Sequence, residues 1–202
     1  THTPSNVAFE EASTLPYVAV MASSLLEKAG LRRGQNVLVN GASGGIGSMA
    51  VQLARHIGAE VTGVCGAGRL EYVRSLGVEK VIDYTHEDFT QNGETYDLIF
   101  DVLGRISFQR AKPSLKSRGT IFYVSFKTGV LFQKITTSLS GGKKVMCAFA
   151  SETVDNLARV RDLAEAGKIR TIIDRCFPLE QAAEAHRYVE SGERKGSVVM
   201  TA

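Results

Sequence analysis

The stretch NVLVNGASGGIGSMAVQLARHIGAEV, residues 36–61, decides how the chain folds. It begins with an apolar run, continues with four glycines in seven residues, and then shows apolar residues at helical spacing before a second apolar run. The first run, Asn36–Asn40, has the length of a buried strand, and the spacing over Gly45–Ile57 predicts a helix. The stretch is therefore predicted to form a strand, a glycine loop, a helix and a second strand.

The same alternation continues along the chain. Apolar runs rich in β-branched residues predict further strands at Val61–Cys65, Lys80–Tyr84, Asp97–Leu103, Thr120–Ser125 and Lys144–Phe149. The segments between and after them predict helices at Arg69–Leu76, Ile106–Leu115 and Ser151–Ala166. Apolar strands separated by helices form parallel sheets that are covered on both faces. We therefore predict an α/β fold, a Rossmann-type doubly wound parallel sheet of about six strands.

Two flanking segments differ from this pattern. Residues 1–35 read as a lead-in helical segment, and residues 36–168 as the dinucleotide-binding domain. Residues 169–202 break the alternation and are predicted to form a C-terminal return segment, with Pro178 at a helix start and a short final strand. The polar stretch 127–142 is predicted to be a loop or a short irregular helix.

The glycine loop is the strongest chemical signal. A helix N-terminus with exposed amides suits a pyrophosphate, and Gly44 and Gly47 occupy the second and third positions of the dinucleotide fingerprint G-x-G-x-x-G. Ala42 takes the first position, which is tolerable where the backbone φ is negative. The alternative is a tight turn whose glycines serve packing alone. A phosphate loop of the G-K-[ST] type is excluded because no Lys-Ser or Lys-Thr pair follows.

The end of the second predicted strand indicates which cofactor fits. An NAD site places a carboxylate there for the ribose hydroxyls, but this chain has Cys65 and Gly66. Arg69 lies close enough in sequence to reach a 2′-phosphate, so NADPH is the predicted cofactor. Cys65 is interpreted as a small neutral filler. Tyr84, at the end of the third strand, is placed near the adenosine.

The loops after the fourth and fifth strands are predicted to face the nicotinamide, because ligands lie beyond the carboxyl ends of parallel strands. These loops are Val102–Gly104 and Val124–Phe126. Asp101 is interpreted as structural, and we assign no catalytic side chain.

Composition excludes several other classes. The net charge is +3 and the basic residues are scattered among acidic ones, so nucleic-acid binding is not expected. No apolar run is long enough to span a bilayer. Three widely separated cysteines show neither a disulfide framework nor zinc-ligand spacing, and fit a cytoplasmic protein.

The chain resembles the medium-chain dehydrogenase/reductase superfamily, and within it the zinc-independent NADPH:quinone oxidoreductases. The resemblance rests on the quoted stretch together with SLGVEKVIDY, YDLIFDVLG and FPLEQAAEAHRYVESGERKGSVV, in this order. It implies hydride transfer from NADPH to a quinone or an α,β-unsaturated carbonyl, without zinc. It also implies a dimer and an N-terminal GroES-like domain that this sequence does not include, so we expect a cofactor-binding domain that is incomplete as an enzyme.

Carried onto this sequence, the resemblance and the loop positions give one set of cofactor-binding residues: Ala42, Ser43, Gly44, Gly45, Ile46, Gly47, Cys65, Gly66, Arg69, Tyr84, Val102, Leu103, Gly104, Val124, Ser125 and Phe126. The family often has a serine at the position of Gly66 and a lysine at that of Ser197. Because both are replaced here, the grip on the 2′-phosphate is expected to rest on Arg69, with Arg194 or Lys195 as further candidates.

Two alternative functions and one partner remain as hypotheses. A non-catalytic NADPH-binding interaction protein would show the same motifs. A short-chain dehydrogenase is disfavoured, because Tyr123 and Lys127 straddle the end of a strand instead of sharing a helix face. The partner is a second copy of the chain, paired through the apolar sheet edge at Lys144–Phe149.

Overall fold

A computed structural model describes residues 2–4, 6–138 and 141–202, and its centre is a parallel sheet. The six strands lie in the order β3-β2-β1-β4-β5-β6. Their bounds are β1 Asn36–Asn40, β2 Glu60–Cys65, β3 Lys80–Asp83, β4 Tyr96–Asp101, β5 Leu115–Tyr123 and β6 Lys144–Cys147. The strand order reverses between β1 and β4, which is the switch point where doubly wound sheets bind ligands. The predicted Rossmann-type fold is confirmed.

The described residues contain seven α-helices. They are α1 Phe9–Lys28, α2 Gly45–Ile57, α3 Leu70–Ser75, α4 Phe108–Ala111, α5 Thr128–Ser138, α6 Val154–Glu165 and α7 Ala182–Glu190. The predicted bounds of α2 are confirmed. Helix α6 ends at Glu165, shortly before Gly167, whose φ is +64°.

Two local predictions were wrong. The stretch predicted as a loop or short irregular helix at 127–142 contains α5, which has 11 residues and no buried residue, so it shows no core-facing stripe. The helix predicted from Ser151 begins only at Val154, after its cap Thr153, whose hydroxyl accepts from the Asn156 amide. The prediction of Pro178 at a helix start is confirmed, because Pro178 ends the strand Ile173–Pro178 and caps the 3₁₀ helix Leu179–Gln181, which continues directly into α7.

The core lies on both faces of the sheet. Alternate residues of β1 point to opposite faces, so Val37 and Val39 join one apolar cluster while Leu38 joins the other. The Phe100 and Phe122 rings, on neighbouring strands, stack with centroids 5.6 Å apart. Burial on both faces explains why the strands read as continuous apolar runs.

The flanking segments pack onto this core. Helix α1 contacts α2 and α6 and buries one face that includes Leu25 and Leu26. The C-terminal segment forms a separate two-stranded parallel sheet, β7 Ile173–Pro178 and β8 Ser197–Thr201. Gln52 holds this segment through two hydrogen bonds with the backbone of Arg170, of 2.9 and 3.0 Å. No helix among the described residues combines the length and apolarity needed to cross a bilayer.

Candidate functional site

The glycine loop joins the carboxyl end of β1 to α2 in a narrow turn. Gly41 has a φ of +90°, and no described residue other than glycine has a positive φ, so the strained position falls on Gly41 and not on Ala42. A Cβ added to Gly47 would lie 2.0 Å from the Gly41 carbonyl oxygen. Gly47 is therefore required because the first turn of α2 touches the loop.

The N-terminus of α2 faces this loop. The first bond of the helix runs from the Ser48 amide to the Gly44 carbonyl at 2.8 Å. The preceding amides, those of Gly45, Ile46 and Gly47, have no intrahelical acceptor. With the positive end of the helix dipole, they form a place for an anion.

An open cleft of about 560 Å³ runs past the loop along the carboxyl ends of the strands. Most of the predicted cofactor residues line it: Ser43, Gly44, Gly45, Ile46, Cys65, Arg69, Tyr84, Val102 and Leu103. Ala42 and Gly47 are buried beneath the loop, where they shape it. Val124, Ser125 and Phe126 do not line the cleft, although their loop touches its wall.

Several lining residues were missed by the sequence prediction. Tyr17 comes from α1, Arg105 follows the fourth strand, and Val189–Gly192, at the end of α7, come from the C-terminal segment, where they join the predicted candidate Arg194. None of them carries a local motif. The C-terminal turn reaches the cleft because the Gly196 amide donates to the Ser43 carbonyl at 2.8 Å, a contact between residues distant in sequence.

The end of the cleft that was predicted to face the adenosine contains the predicted selectivity residues. A Cβ added to Gly66 would lie 3.3 Å from both an Arg69 Nη1 and the Tyr84 hydroxyl, so these groups converge. The Arg69 guanidinium also donates to the Gly192 carbonyl. Together with Lys195 and Glu193, they line an adjoining cleft of about 350 Å³. Glu193 was not anticipated, and its carboxylate would disfavour a bound phosphate.

The other nearby carboxylates point elsewhere or are already bonded. Glu60 lies at the amino end of β2, away from the cleft. Asp83 pairs with Cys65 in the register of β2 and β3, but its oxygens accept from Thr85 and His86. These hydrogen bonds, the Thr85 amide first, hold the pKa of Asp83 below its ordinary value.

Cys65 is a buried thiol. It is 2% exposed, and burial raises its pKa to about 11, against a partial lowering by Arg69. A thiol with so high a pKa has almost no thiolate at neutral pH. The interpretation of Cys65 as a neutral filler is consistent with this.

The opposite end of the cleft is held by Asp101, which is fully buried. Its carboxylate accepts from the Asn40 side chain at 2.8 Å and from the Leu103 amide at 3.2 Å. Burial raises the pKa of Asp101, while these donors lower it. Asp101 therefore holds the loop that was predicted to face the nicotinamide, which agrees with its interpretation as a structural residue.

The same loop contacts its neighbour. A Cβ on Gly104, whose φ is +64°, would lie 2.1 Å from the Ser125 carbonyl oxygen. The Tyr123 hydroxyl donates to the Ile106 carbonyl at 2.8 Å. Tyr123 is thus buried and engaged in holding the loop, which argues against the short-chain dehydrogenase alternative.

Neither zinc-site nor disulfide geometry is present in the described part of the chain. No group of three or more His, Cys, Asp or Glu side chains there is placed to hold a metal ion. Cys65, Cys147 and Cys176 are free thiols.

Comparison with known proteins identifies the family. Residues 76–200, more than half of the chain, match the family model described as "Zinc-binding dehydrogenase". The chain belongs to the medium-chain dehydrogenase/reductase superfamily. The quinone oxidoreductase of Coxiella burnetii superimposes on the whole chain with a TM-score of 0.90, at 25% identity and over 63% of that structure.

The curated relatives of this chain are longer than the chain itself. The chain is 33% identical to "NAD(P)H oxidoreductase RTN4IP1, mitochondrial" of Mus musculus over 98% of this chain and 57% of that protein. It is 31% identical to "2-methylene-furan-3-one reductase" of Solanum lycopersicum over 98% of this chain and 48% of that protein. The chain spans about half the length of these relatives and corresponds to their cofactor-binding domain.

Proposed function

We propose that this superfamily member is the NADPH-binding domain of an oxidoreductase that reduces a quinone or an α,β-unsaturated carbonyl. The observation that carries the proposal is the continuous cleft, which joins Arg69 and Tyr84 at one end to Leu103 at the other and passes the N-terminus of α2. Bound NADPH would supply a hydride, and the chain's own residues would bind and orient it.

The chain's residues divide this work by position. The amides of the first turn of α2, which have no intrahelical acceptor, suit the diphosphate. At the carboxyl end of β2, the missing carboxylate and the convergence of Arg69 and Tyr84 on Gly66 support a 2′-phosphate. Ser43 lies in the glycine loop, where its carbonyl accepts from the Gly196 amide and so fixes the C-terminal segment beside the cleft.

The acceptor class is supported by relatives and not by a side chain of this cleft. One relative is named a methylene-furanone reductase, and one solved neighbour is a quinone oxidoreductase. Because no described side chain is assigned an acid–base role, hydride transfer would depend on positioning. We propose that it proceeds without zinc.

Calorimetric titration with NADPH and NADH tests the cofactor assignment. We expect tighter binding of NADPH in the wild type, and about 10- to 100-fold weaker NADPH binding in Arg69→Gln, because a charge-assisted hydrogen bond to phosphate is lost. Binding of NADH should change little. Arg74→Gln is the matched control, since Arg74 pairs with Glu71 outside the cleft.

Two results would contradict this assignment. NADH binding as tight as that of NADPH would remove the argument from Cys65 and Arg69. Binding of NADPH without turnover of any quinone or enone by the full-length protein would favour the non-catalytic interaction protein.

The proposed partner is a second copy of this chain. The predicted edge, β6, is partly covered, since Thr137 accepts from the Val145 amide and Lys134 donates to the Cys147 carbonyl. Helix α5 instead presents Phe132, 75% exposed, and Ile135, 62% exposed. We propose that this apolar face contributes to the dimer contact near Lys144–Phe149. Light scattering of Phe132→Ser tests it, and an unchanged dimer or a wild-type monomer at high concentration would refute it.

The remaining assignments stay predictions. The boundaries at residues 35 and 168 rest on the sequence pattern, and residues 169–202 are proposed to return toward a GroES-like domain. A cytoplasmic location rests on the cysteine usage, whereas the mouse relative is named mitochondrial. Fractionation of the source cells tests the location.

A further inference from the structure

A second cleft, of about 390 Å³, lies at the amino ends of β1 and β4, on the edge of the sheet opposite the one proposed for the cofactor. We name it the basic cleft, and its polar lining consists of Arg32, Gln35, Asp97, Lys116, Ser117, Arg118 and Thr120. Because β4 has six residues, about 20 Å separates the two edges. A ligand in the basic cleft would therefore lie outside the site proposed for NADPH.

One wall of the basic cleft is a wide bulge in β5. In the register of β4 and β5, the four residues 116–119 stand opposite Asp97 alone. At one end of the bulge, Lys116 donates to the Asp97 carboxylate at 2.7 Å. At the other end, a Cβ added to Gly119 would lie 2.8 Å from a carbonyl oxygen of β4, so the backbone packs directly on that strand. The bulge is anchored at both ends, and the two residues between them are exposed.

The other wall is the turn between α1 and β1. The Arg32 amide donates to the Gln35 side-chain oxygen at 2.8 Å, and the Gly34 amide donates to the Gly58 carbonyl at 2.9 Å. These bonds fix the backbone that carries the exposed Arg32. Each wall thus presents an arginine from a held backbone, as a preorganised binding site requires.

The charges of the basic cleft do not cancel. Lys116 and Asp97 neutralise each other, and the Asp97 carboxylate also accepts from the Asn36 amide at 2.8 Å. Among the residues that the structure describes, the guanidinium groups of Arg32 and Arg118 form neither an ion pair nor a hydrogen bond. The lining therefore carries two positive charges in excess.

The C-terminal end of α1 also reaches the basic cleft, and a helix C-terminus disfavours an anion. Its carbonyls are partly occupied, since the Gly30 amide donates to the Glu27 carbonyl at 2.9 Å and the Leu31 amide to the Leu26 carbonyl at 3.2 Å. A helix end carries about half an elementary charge at most. Two full positive charges outweigh it.

We propose that the basic cleft binds a phosphate group between Arg32 and Arg118. A guanidinium offers parallel donors that match two phosphate oxygens, and two such groups match the charge of a phosphate dianion. The Ser117 hydroxyl adds a donor at the tip of the bulge. A carboxylate has a single charge and two oxygens, so it would leave one guanidinium without an acceptor.

NMR of the ¹⁵N-labelled chain, saturated with NADP⁺, tests this proposal by titration with inorganic phosphate at constant ionic strength. We expect saturable shifts of the Ser117 and Arg118 amides. Binding should weaken about 3- to 10-fold in Arg118→Gln and in Arg32→Gln, because each variant removes a charge-assisted donor from an exposed site. Arg74→Gln is the matched control, since Arg74 pairs with Glu71 outside the basic cleft.

Three results would overturn the proposal. They are shifts that do not saturate, shifts confined to the amides of Gly45–Gly47, and equal weakening in Arg74→Gln and Arg118→Gln, which would reflect overall charge alone. Acetate that binds as tightly as phosphate would overturn the choice of phosphate.

Two further probes identify the source of the phosphate group. Tighter binding of O-phosphoserine than of glycerol 3-phosphate would support a phosphorylated protein side chain, and the reverse order would support a small metabolite. Absence of NADP⁺ binding would count against the proposed function only, because the shifts of Ser117 and Arg118 are read residue by residue.

Discussion

Replacing Gly47 by alanine tests whether the glycine loop is held by direct contact with α2. The added Cβ would lie 2.0 Å from the Gly41 carbonyl oxygen, 2.8 Å from the Gly41 carbonyl carbon and 3.1 Å from the Ala42 Cα. All three are backbone atoms, so no side-chain rotation relieves the contact. Overpacking in a rigid site costs typically 1–3 kcal/mol, and the backbone contacts here place Gly47→Ala near the upper end, at about 3 kcal/mol.

Thermal unfolding followed by circular dichroism measures this cost. For a domain of this size about 1 kcal/mol shifts Tm by roughly 2–4 °C, so we expect a fall of about 6–12 °C. The matched control is Gly44→Ala, whose Cβ would meet only the Gly41 oxygen at 3.7 Å. Its φ of −81° suits alanine. We expect a stability change under about 1 kcal/mol for this control.

Cofactor binding separates the two glycines further. Gly44 lines the cleft, so its added methyl group would stand where the diphosphate approaches. Calorimetry should therefore show weaker NADPH binding in Gly44→Ala despite its near-normal Tm. A Gly47→Ala variant as stable as the wild type, or an equal loss of stability in both variants, would refute the reasoning from loop contact.

Three further predictions follow from charges and burial. Glu193→Gln should bind NADPH about 2- to 5-fold more tightly by calorimetry, because a carboxylate facing a phosphate is removed; unchanged affinity would place Glu193 outside the site. Hydrogen bonding to Arg110 lowers the pKa of Asp88 to about 2, so the stabilisation by the ionised carboxylate is present above the unfolded pKa near 4 and is lost as the pH falls toward 2. The wild type should therefore be more stable than Asp88→Asn by about 1 kcal/mol after solvent screening, and urea titrations should show this difference shrinking between about pH 4 and pH 2. A difference that stays constant over this pH range would contradict the prediction. Iodoacetamide at pH 8 should modify exposed Cys176 long before Cys65, as read by peptide mass spectrometry; equal labelling would contradict the burial of Cys65.

The fold was predictable because its signals are local. Each strand is buried on both faces and therefore reads as a continuous apolar run, and Gly45–Ile57 has both helical periodicity and a glycine at each end. The regular helix α5 was not predicted, because it lacks such a local signal. Its exposed Phe132 and Ile135 share no buried stripe with other residues of the helix, so no periodic signal marks it.

The candidate site was predictable only in part. The loop residues and Arg69 follow strands whose ends must meet at one edge of the sheet, so their positions follow from the strand pattern. Tyr17 and the turn Val189–Gly192 enter the same cleft from segments outside that pattern. Their places depend on how α1 and the C-terminal sheet pack, which no local spacing encodes.

The sequence by itself determined the sheet, the glycine loop at its first strand–helix junction and the absence of a carboxylate at Cys65. These features depend on neighbours in the chain and on burial, which periodicity records. Only the tertiary structure decided that Glu193 lines the same cleft as Arg69, that Gly41 is the loop residue with a positive φ and that Phe149 is exposed. Each depends on contacts between segments distant in sequence, such as the hydrogen bond from the Gly196 amide to the Ser43 carbonyl, and packing geometry alone brings those segments together.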